Sequence, residues 1–285
     1  MLANYLIGLR EGLEATLVVV ILVAYLVRSG RRELVARVWA GVAIAVGVSL
    51  AFGALLTFGP RGLGFRAQEA IGGSLSLVAV AFVTAMVMGM ARSAPTLSGD
   101  LKGQVDRAAT AGRAGLVVVA VLAVGREGLE TALFLWAATQ AATGTTGSSA
   151  GPLLGATLGL ATAVLLGYLF YRGAVRINLS KFFTWTGAVL ILVAAGVLAY
   201  GIHDLQEAAL LPGLDNLAFD VSNVVDPASW TGTLLKGTLN FTPATTWLQA
   251  IAWVAYVAIV MPVFFRQLRR ASTPVAPAHS PATVS

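Results

Sequence analysis

The chain has 285 residues, of which 57% are hydrophobic and only 11% are charged, with a formal net charge of +6. Soluble domains carry about 25% charged residues, so this composition excludes an ordinary soluble domain and indicates an integral membrane protein. The chain contains no cysteine and only two histidines. Disulfides and thiolate metal sites are therefore excluded, and a metal held within the membrane must use oxygen ligands.

Seven apolar segments are each about 20 residues long, which is the length of a helix that crosses a bilayer. Helix is the expected form, because open strands leave backbone groups without partners in lipid. The sequence predicts an all-α membrane domain over residues 1–270 and a disordered cytoplasmic tail at 271–285, which is rich in Pro, Ala, Ser and Thr. The predicted spans are residues 4–27, 38–58, 69–91, 115–139, 152–171, 183–203 and 245–265.

The basic residues indicate the orientation of these spans. Of the 19 lysines and arginines, fourteen lie in the first, third and fifth connections and the C-terminal flank, and three lie in the other connections. Basic loops stay on the cytoplasmic side, so we expect the N-terminus outside and the C-terminus inside. The net positive charge is therefore interpreted as topology, and no nucleic-acid partner is expected.

A five-residue sequence occurs twice inside the apolar spans, at Arg10–Glu14 and again at Arg126–Glu130. A charge inside a bilayer costs at least ~2.5–3.5 kcal/mol on insertion scales, so intramembrane charges indicate a functional site. The first span runs inward and the fourth runs outward, which predicts a 3+3 inverted repeat with a seventh helix added. Inverted repeats bind their cargo near the bilayer midplane, between the two halves.

The chemistry of the motif favours a cation site. Positions i and i+4 share a helix face, so Arg10 neighbours Glu14 and Arg126 neighbours Glu130, with Glu11 and Glu127 flanking the same stripe. The central glycine of each copy lets a second helix approach closely. Four carboxylates and two guanidiniums would then meet, and carboxylate oxygens suit hard cations.

Two other interpretations of the motif remain open. The arginines and glutamates could form buried ion pairs that only hold two helices in register, although one glutamate per arginine would suffice for that. The glutamates could also carry protons without a metal, as acidic chains do in pumps.

Further candidate ligands lie at the outer ends of the spans. His203 and Glu207 are four residues apart at the end of the sixth span, and Glu69 opens the third span. We predict that these three residues receive a metal on the outer side. The alternatives are a surface contact for the first pair and an interfacial charge for Glu69.

The doubled motif, in the first and fourth of seven spans, resembles the high-affinity iron permease family, which includes fungal iron permeases and bacterial EfeU permeases. Their hallmark is Arg-Glu-x-x-Glu in those two helices. The stretches Trp39–Val42, Gly201–Ala208, Phe219–Ser222 and Leu234–Gly237 agree with it, and so does Pro243. The resemblance covers about residues 1–266.

This resemblance implies iron import across the plasma membrane of a bacterium, with iron as the transported substrate and no permanently bound cofactor. It implies that Glu11, Glu14, Glu127 and Glu130 ligate the ion in transit, while Arg10 and Arg126 orient them. Fungal members work with a multicopper ferroxidase, and bacterial relatives work with extracytoplasmic iron-binding or oxidase partners, so we expect a partner of that kind.

Two rival functions remain. The chain could transport another divalent cation, such as Mn or Pb, on the same scaffold. It could instead be a membrane subunit that only scaffolds an extracytoplasmic oxidase or iron binder. An enzyme is not expected, because the sequence has no nucleophile–base set, nucleotide loop or cofactor motif.

Overall fold

The computed structural model describes residues 1–60, 62–93, 115–143, 150–173, 179–221 and 242–271. These residues contain seven long helices, and each coincides with one predicted apolar segment. A short 3₁₀ turn at Arg32–Leu34 precedes the second helix. The helices are α1 (Leu2–Arg28), α2 (Val35–Phe58), α3 (Phe65–Ser93), α4 (Gly115–Thr143), α5 (Ala150–Tyr171), α6 (Leu179–Glu207) and α7 (Trp247–Ala271).

Five of the helical segments in the described part of the chain are long and apolar enough to cross a bilayer: Arg32–Phe58, Phe65–Gly89, Ala150–Tyr171, Lys181–Glu207 and Trp247–Arg269. The other two long helices, α1 and α4, are of similar length but carry the three charges of the repeated motif. This helical architecture is that of an integral membrane protein, as the composition predicts.

A small β-ribbon lies between α6 and α7. Its strands β1 (Leu217–Asp220) and β2 (Ala244–Thr246) are antiparallel, with Phe219 opposite Thr245. The apolar-span analysis did not predict this ribbon, because three or four residues carry too short an alternating pattern. The predicted disordered tail lies outside the described residues, apart from Ala271.

The helices pack in three main pairs: α1 on α5, α2 on α4, and α3 on α6. α1 also crosses α4, and α7 packs against α6 and α3. The largest buried cluster joins α3 and α6 to parts of α1, α4 and α7, and it includes Val80, Phe134 and Ile191. Four helices, α1, α2, α4 and α5, therefore form one group, and α3, α6 and α7 form a second.

Small residues bring α5 close to α1. Gly155, Gly159, Ala163 and Gly167 recur every four residues along one face of α5. In that order, they lie against Met1, Leu9, Gly12 and Thr16, which run in the same direction along α1. Such a stripe of small residues lets two membrane helices pack backbone to backbone.

α2 carries a second stripe with the same four-residue spacing: Gly41, Ala45, Ser49 and Gly53. In that order, these residues lie against Val117, Gly125, Gly128 and Ala132 of α4. Gly155 follows Gly41 by 114 residues, and Val117 follows Met1 by 116. The packing of α1 on α5 is thus repeated, contact for contact, by the packing of α4 on α2.

Candidate metal centre

The two copies of the motif meet where α1 crosses α4. Asn4, near the start of α1, donates a 2.8 Å hydrogen bond from Nδ2 to Thr139 Oγ1, near the end of α4. Glu14 lies close enough to Glu130 for their charges to repel. The two helices are therefore antiparallel, and their motifs face each other across the crossing.

Three carboxylates converge at this crossing. Glu11, Glu14 and Glu127 each offer an oxygen, and these oxygens all lie within 4.8 Å of one another. Glu11 has no exposed surface, and the side chains of Glu14 and Glu127 are only 13% and 14% exposed. Repulsion between such close, poorly solvated carboxylates is relieved when a cation binds between them.

Three carboxylate oxygens of the site are buried without a hydrogen-bond partner among the described residues: Oε2 of Glu11, Oε1 of Glu14 and Oε2 of Glu130. A buried polar atom without a partner is uncommon and needs an explanation, such as an ion that binds there. Glu11 gives the strongest indication of a bound ion, because its whole side chain is enclosed.

Arg10 is buried next to the carboxylates, with only 1% of its side chain exposed. Its Nη1 lies 3.0 Å from Glu11 Oε1, and its Nη2 lies 3.4 Å from Glu14 Oε1. Nη1 also lies 3.2 Å from the Met86 sulfur, and the guanidinium carbon lies 5.9 Å from the centre of the Phe183 ring. Arg10 is therefore held by both its own helix and the α3–α6 pair.

Arg126 has the same sequence neighbours but a different environment, since 69% of its side chain is exposed. Its Nε lies 3.0 Å from Glu130 Oε1 and 3.9 Å from Glu127 Oε1. Glu130 thus faces Arg126 rather than joining the three convergent carboxylates. The structure brings together three of the four predicted motif ligands and leaves the fourth beside them.

A second acidic group lies at the far end of α6. Asp204 is only 3% exposed, and its carboxylate interacts with Glu69 and with the Tyr200 hydroxyl. His203 Nε2 lies 3.4 Å from Glu207 Oε1 on the same helix, and both side chains are about one-third exposed. Among the described residues, no three ligand atoms of this group converge as they do at the motif crossing.

Four residues near these sites were not among the predicted site residues: Met86, Phe183, Tyr200 and Asp204. Met86 and Phe183 have no polar signal in the sequence, because a buried methionine or phenylalanine is typical of any core. Asp204 and Tyr200 were detectable in principle. Asp204 directly follows the sixth predicted span, at a membrane boundary where a buried carboxylate needs a partner.

Residues 1–273 match the iron permease FTR1 family. The chain belongs to this family. The resemblance that the doubled motif indicates is therefore confirmed.

Individual relatives cover nearly the full length. The chain is 36% identical over 270 residues to the ferrous iron permease EfeU of Escherichia coli O6:H1, covering 92% of this chain and 96% of the relative. It is 36% identical over 276 residues to EfeU of Shigella sonnei, covering 96% and 98%. It is 35% identical over 268 residues to EfeU of Yersinia pestis, covering 93% of each. No solved structure matches the chain significantly.

These names are those of permeases, which transport a solute rather than catalyse a reaction. With the apolar helices, they identify the chain as a multi-pass protein of the bacterial cytoplasmic membrane.

Proposed function

We propose that this protein imports iron through an intramembrane site lined by Glu11, Glu14 and Glu127, with Glu130 completing the site when the ion is present. The observation that carries this proposal is the convergence of three buried carboxylates from two antiparallel helices. The curated relatives are named ferrous iron permeases, so Fe²⁺ is the first substrate to test.

The donor set fits a hard, multivalent ion in transit. Carboxylate oxygens replace part of the ion's hydration shell. Their negative charge stabilises a multivalent cation more strongly than a monovalent one. Four glutamates and two arginines leave a formal charge of −2, which Fe²⁺ would neutralise. Arg10 keeps Glu11 and Glu14 oriented through its contacts of 3.0 and 3.4 Å.

The inverted repeat is part of this proposal. Two contact patterns support it. The motifs meet where α1 crosses α4, and the contacts between α1 and α5 match those between α4 and α2. Helix bounds agree, because α3 and α6 both contain 29 residues and start 114 residues apart. With seven crossings, the N-terminus lies outside and the C-terminus in the cytoplasm, as the basic loops favour.

We assign the outer acidic group a role in receiving iron. Asp204 and Glu69 lie on α6 and α3 at the end that the loop charges place outside, and the His203–Glu207 pair is the more accessible part of the group. An acidic surface raises the local concentration of cations before they enter the site.

The proposal is tested by uptake of radioactive iron into cells that lack other iron importers. Wild-type protein should support uptake, and Glu127→Gln should remove it while membrane abundance stays unchanged. The exposed Glu33, in the 3₁₀ turn before α2, provides the matched control Glu33→Gln. Normal uptake by the Glu127→Gln variant would refute the site.

The rival functions give different results. A transporter for Mn or Pb would take up those metals in preference to iron in a competition panel. A scaffold subunit would show no metal flux after reconstitution alone in liposomes. Iron-dependent flux by the purified chain would exclude the scaffold and would leave extracytoplasmic partners with a supporting role, such as delivery or oxidation of iron.

A further inference from the structure

The identical motif copies lie in unlike environments, and this difference points to how the site changes its access. Arg10 is 1% exposed and Arg126 is 69% exposed, although the five residues around each are the same. In a molecule with internal two-fold symmetry, such a difference means that the two halves have adopted different conformations. This inference rests on the inverted repeat of the proposed transport function.

The repeat identifies an equivalent location for Arg126. Arg10 contacts Met86 of α3 and Phe183 of α6. Since α6 starts 114 residues after α3, the equivalent of Met86 is Tyr200 and the equivalent of Phe183 is Glu69. We call Met86 and Phe183 the inner seat, and Glu69 and Tyr200 the outer seat.

The chemistry of the outer seat suits an arginine. Glu69 offers a carboxylate for a charge-assisted hydrogen bond, and Tyr200 offers both a hydroxyl oxygen and an aromatic face. The Asp204 carboxyl group lies beside them, so the seat holds two acidic groups while Arg126 is elsewhere. Here Arg126 is instead exposed and pairs with Glu130 and Glu127.

The packing of the two helix groups also shows that the group of α1, α2, α4 and α5 is displaced along α3 and α6. The repeat makes Leu13 of α1 equivalent to Leu129 of α4, and both lie within the motifs that face each other where these helices cross. It makes Val80 of α3 equivalent to Ala194 of α6, which line one small cavity together. A symmetric arrangement would put Leu13 level with Val80.

Instead, Ile7 lines that cavity with Val80, Val83 and Ala194. Ile7 precedes Leu13 by six residues, which is roughly 9 Å along a helix at 1.5 Å per residue. The group of α1, α2, α4 and α5 is therefore shifted by about that distance toward the end where α3 finishes and α6 begins. The basic loops assign that end to the cytoplasm.

From these observations we infer that α1, α2, α4 and α5 slide as one unit along α3 and α6, and that the two arginines exchange seats as they do so. In the conformation described, Arg10 occupies the inner seat and the carboxylate site lies toward the cytoplasm. In the opposite conformation, Arg126 occupies the outer seat, Arg10 leaves Met86 and Phe183, and the site faces the outer acidic group. Met86, Phe183, Glu69 and Tyr200 are thus positioning residues, which act on the ion through the arginines.

The glycine and alanine stripes explain why the four helices move together. Both stripes join members of the sliding unit, α5 to α1 and α2 to α4, through close backbone contact. The contact between the unit and α3 or α6 is formed largely by smooth aliphatic side chains such as Ile7, Val80 and Val83. Backbone packing resists shear, whereas an aliphatic surface has few directional contacts to break.

Cysteine cross-linking tests this inference directly, because the native chain contains no cysteine. The pair Ile7→Cys/Val83→Cys reports the conformation described, since both residues line one cavity. The equivalent positions in the other half of the repeat are Ala123 and Val197, so the pair Ala123→Cys/Val197→Cys reports the opposite conformation. Here Ala123 packs with Leu22 and Leu26, whereas Val197 belongs to the α3–α6 cluster. A short bifunctional methanethiosulfonate reagent is applied to membranes.

A control pair lies within the sliding unit. A Cβ built on Gly125 is 3.8 Å from Ala45 Cβ, which is a separation typical of cross-linked cysteines. Ala45→Cys/Gly125→Cys should cross-link and leave transport unchanged, whereas either test pair should cross-link and block transport until a reductant is added. Glu69→Gln weakens the outer seat, so it should lower cross-linking of the Ala123/Val197 pair at least about threefold relative to the Ile7/Val83 pair.

The cross-link yields do not depend on which metal is carried, so they separate this inference from the proposed function. If both test pairs cross-link but the wild type takes up no iron, the sliding motion is supported and iron is rejected as the substrate. If the control pair cross-links and the Ala123/Val197 pair fails to do so with and without Fe²⁺, the exchange is overturned. Transport at the wild-type rate by either cross-linked test pair would also overturn it, as would an Ala123/Val197 yield that Glu69→Gln leaves unchanged.

Discussion

Glu11 and Glu127 belong to helices that run in opposite directions, yet their carboxylate oxygens lie within 4.8 Å of each other and of Glu14. Two sequence segments that are far apart thus build one acidic site at the crossing of α1 and α4. Because like charges at this distance repel, the arrangement gains most when a multivalent cation enters.

Substitution of the convergent carboxylates should strongly reduce transport without unfolding the protein. Glu11→Gln and Glu14→Gln should each lower the rate of iron uptake at least about tenfold, since each removes one charged ligand, and tenfold corresponds to about 1.4 kcal/mol. Uptake is measured in proteoliposomes with the protein amount held equal. The exposed Glu33→Gln variant should transport normally, and equal activity in all three variants would count against the site.

The two arginines should differ in their effect on stability. Arg10 is enclosed between Glu11, Glu14 and Met86. Removing one partner of a buried ion pair costs about 3–5 kcal/mol, so Arg10→Ala should markedly lower the melting temperature in detergent. Exposed pairs contribute about 0–1 kcal/mol, so Arg126→Ala should lower it little. Equal losses in the two variants would contradict the difference in their environments.

Gly41, in the stripe on α2, should tolerate no added side chain. A Cβ on Gly41 would lie 2.6 Å from Ala120 Cβ and 2.8 Å from the Val117 carbonyl oxygen, both on α4. Gly41→Val should therefore separate α2 from α4 and reduce the yield of folded protein in size-exclusion chromatography. Gly47, on the same helix, has no atom within 4 Å of its Cβ position, and Gly47→Val should behave as wild type.

The outer acidic group should affect iron capture more than turnover. Asp204→Asn removes a buried carboxyl group that interacts with Glu69 and Tyr200, so we expect the KM for iron to rise at least about fivefold while kcat changes less. Initial uptake rates over a range of Fe²⁺ concentrations give both values. A fall in kcat at constant KM would assign Asp204 to translocation instead of capture.

The sequence predicted the helices well, because hydrophobic runs of about 20 residues have few other structures available in lipid. It predicted the meeting of the two motifs for a related reason. Charges such as Glu11 and Glu127 are costly in a bilayer unless they share a site. One constraint, the absence of water around the spans, therefore explains the helix count, the helix positions and the meeting of the two motifs.

The unlike environments of Arg10 and Arg126 could not be predicted, because the two local sequences are identical. The difference arises from tertiary contacts with Met86 and Phe183, which are ordinary apolar residues in the sequence. The β1–β2 ribbon was missed because a strand of three or four residues is determined by its surroundings rather than by its own pattern.

The position of a bound iron ion tests the central claim most directly. Crystals of the purified protein soaked in Fe²⁺ under anaerobic conditions, with data collected at the iron absorption edge, would locate the metal by anomalous scattering. The account predicts a peak between the carboxylates of Glu11, Glu14 and Glu127, with oxygen ligands only, and loss of that peak in the Glu127→Gln variant. Iron bound elsewhere, with no peak at the crossing of α1 and α4, would contradict it.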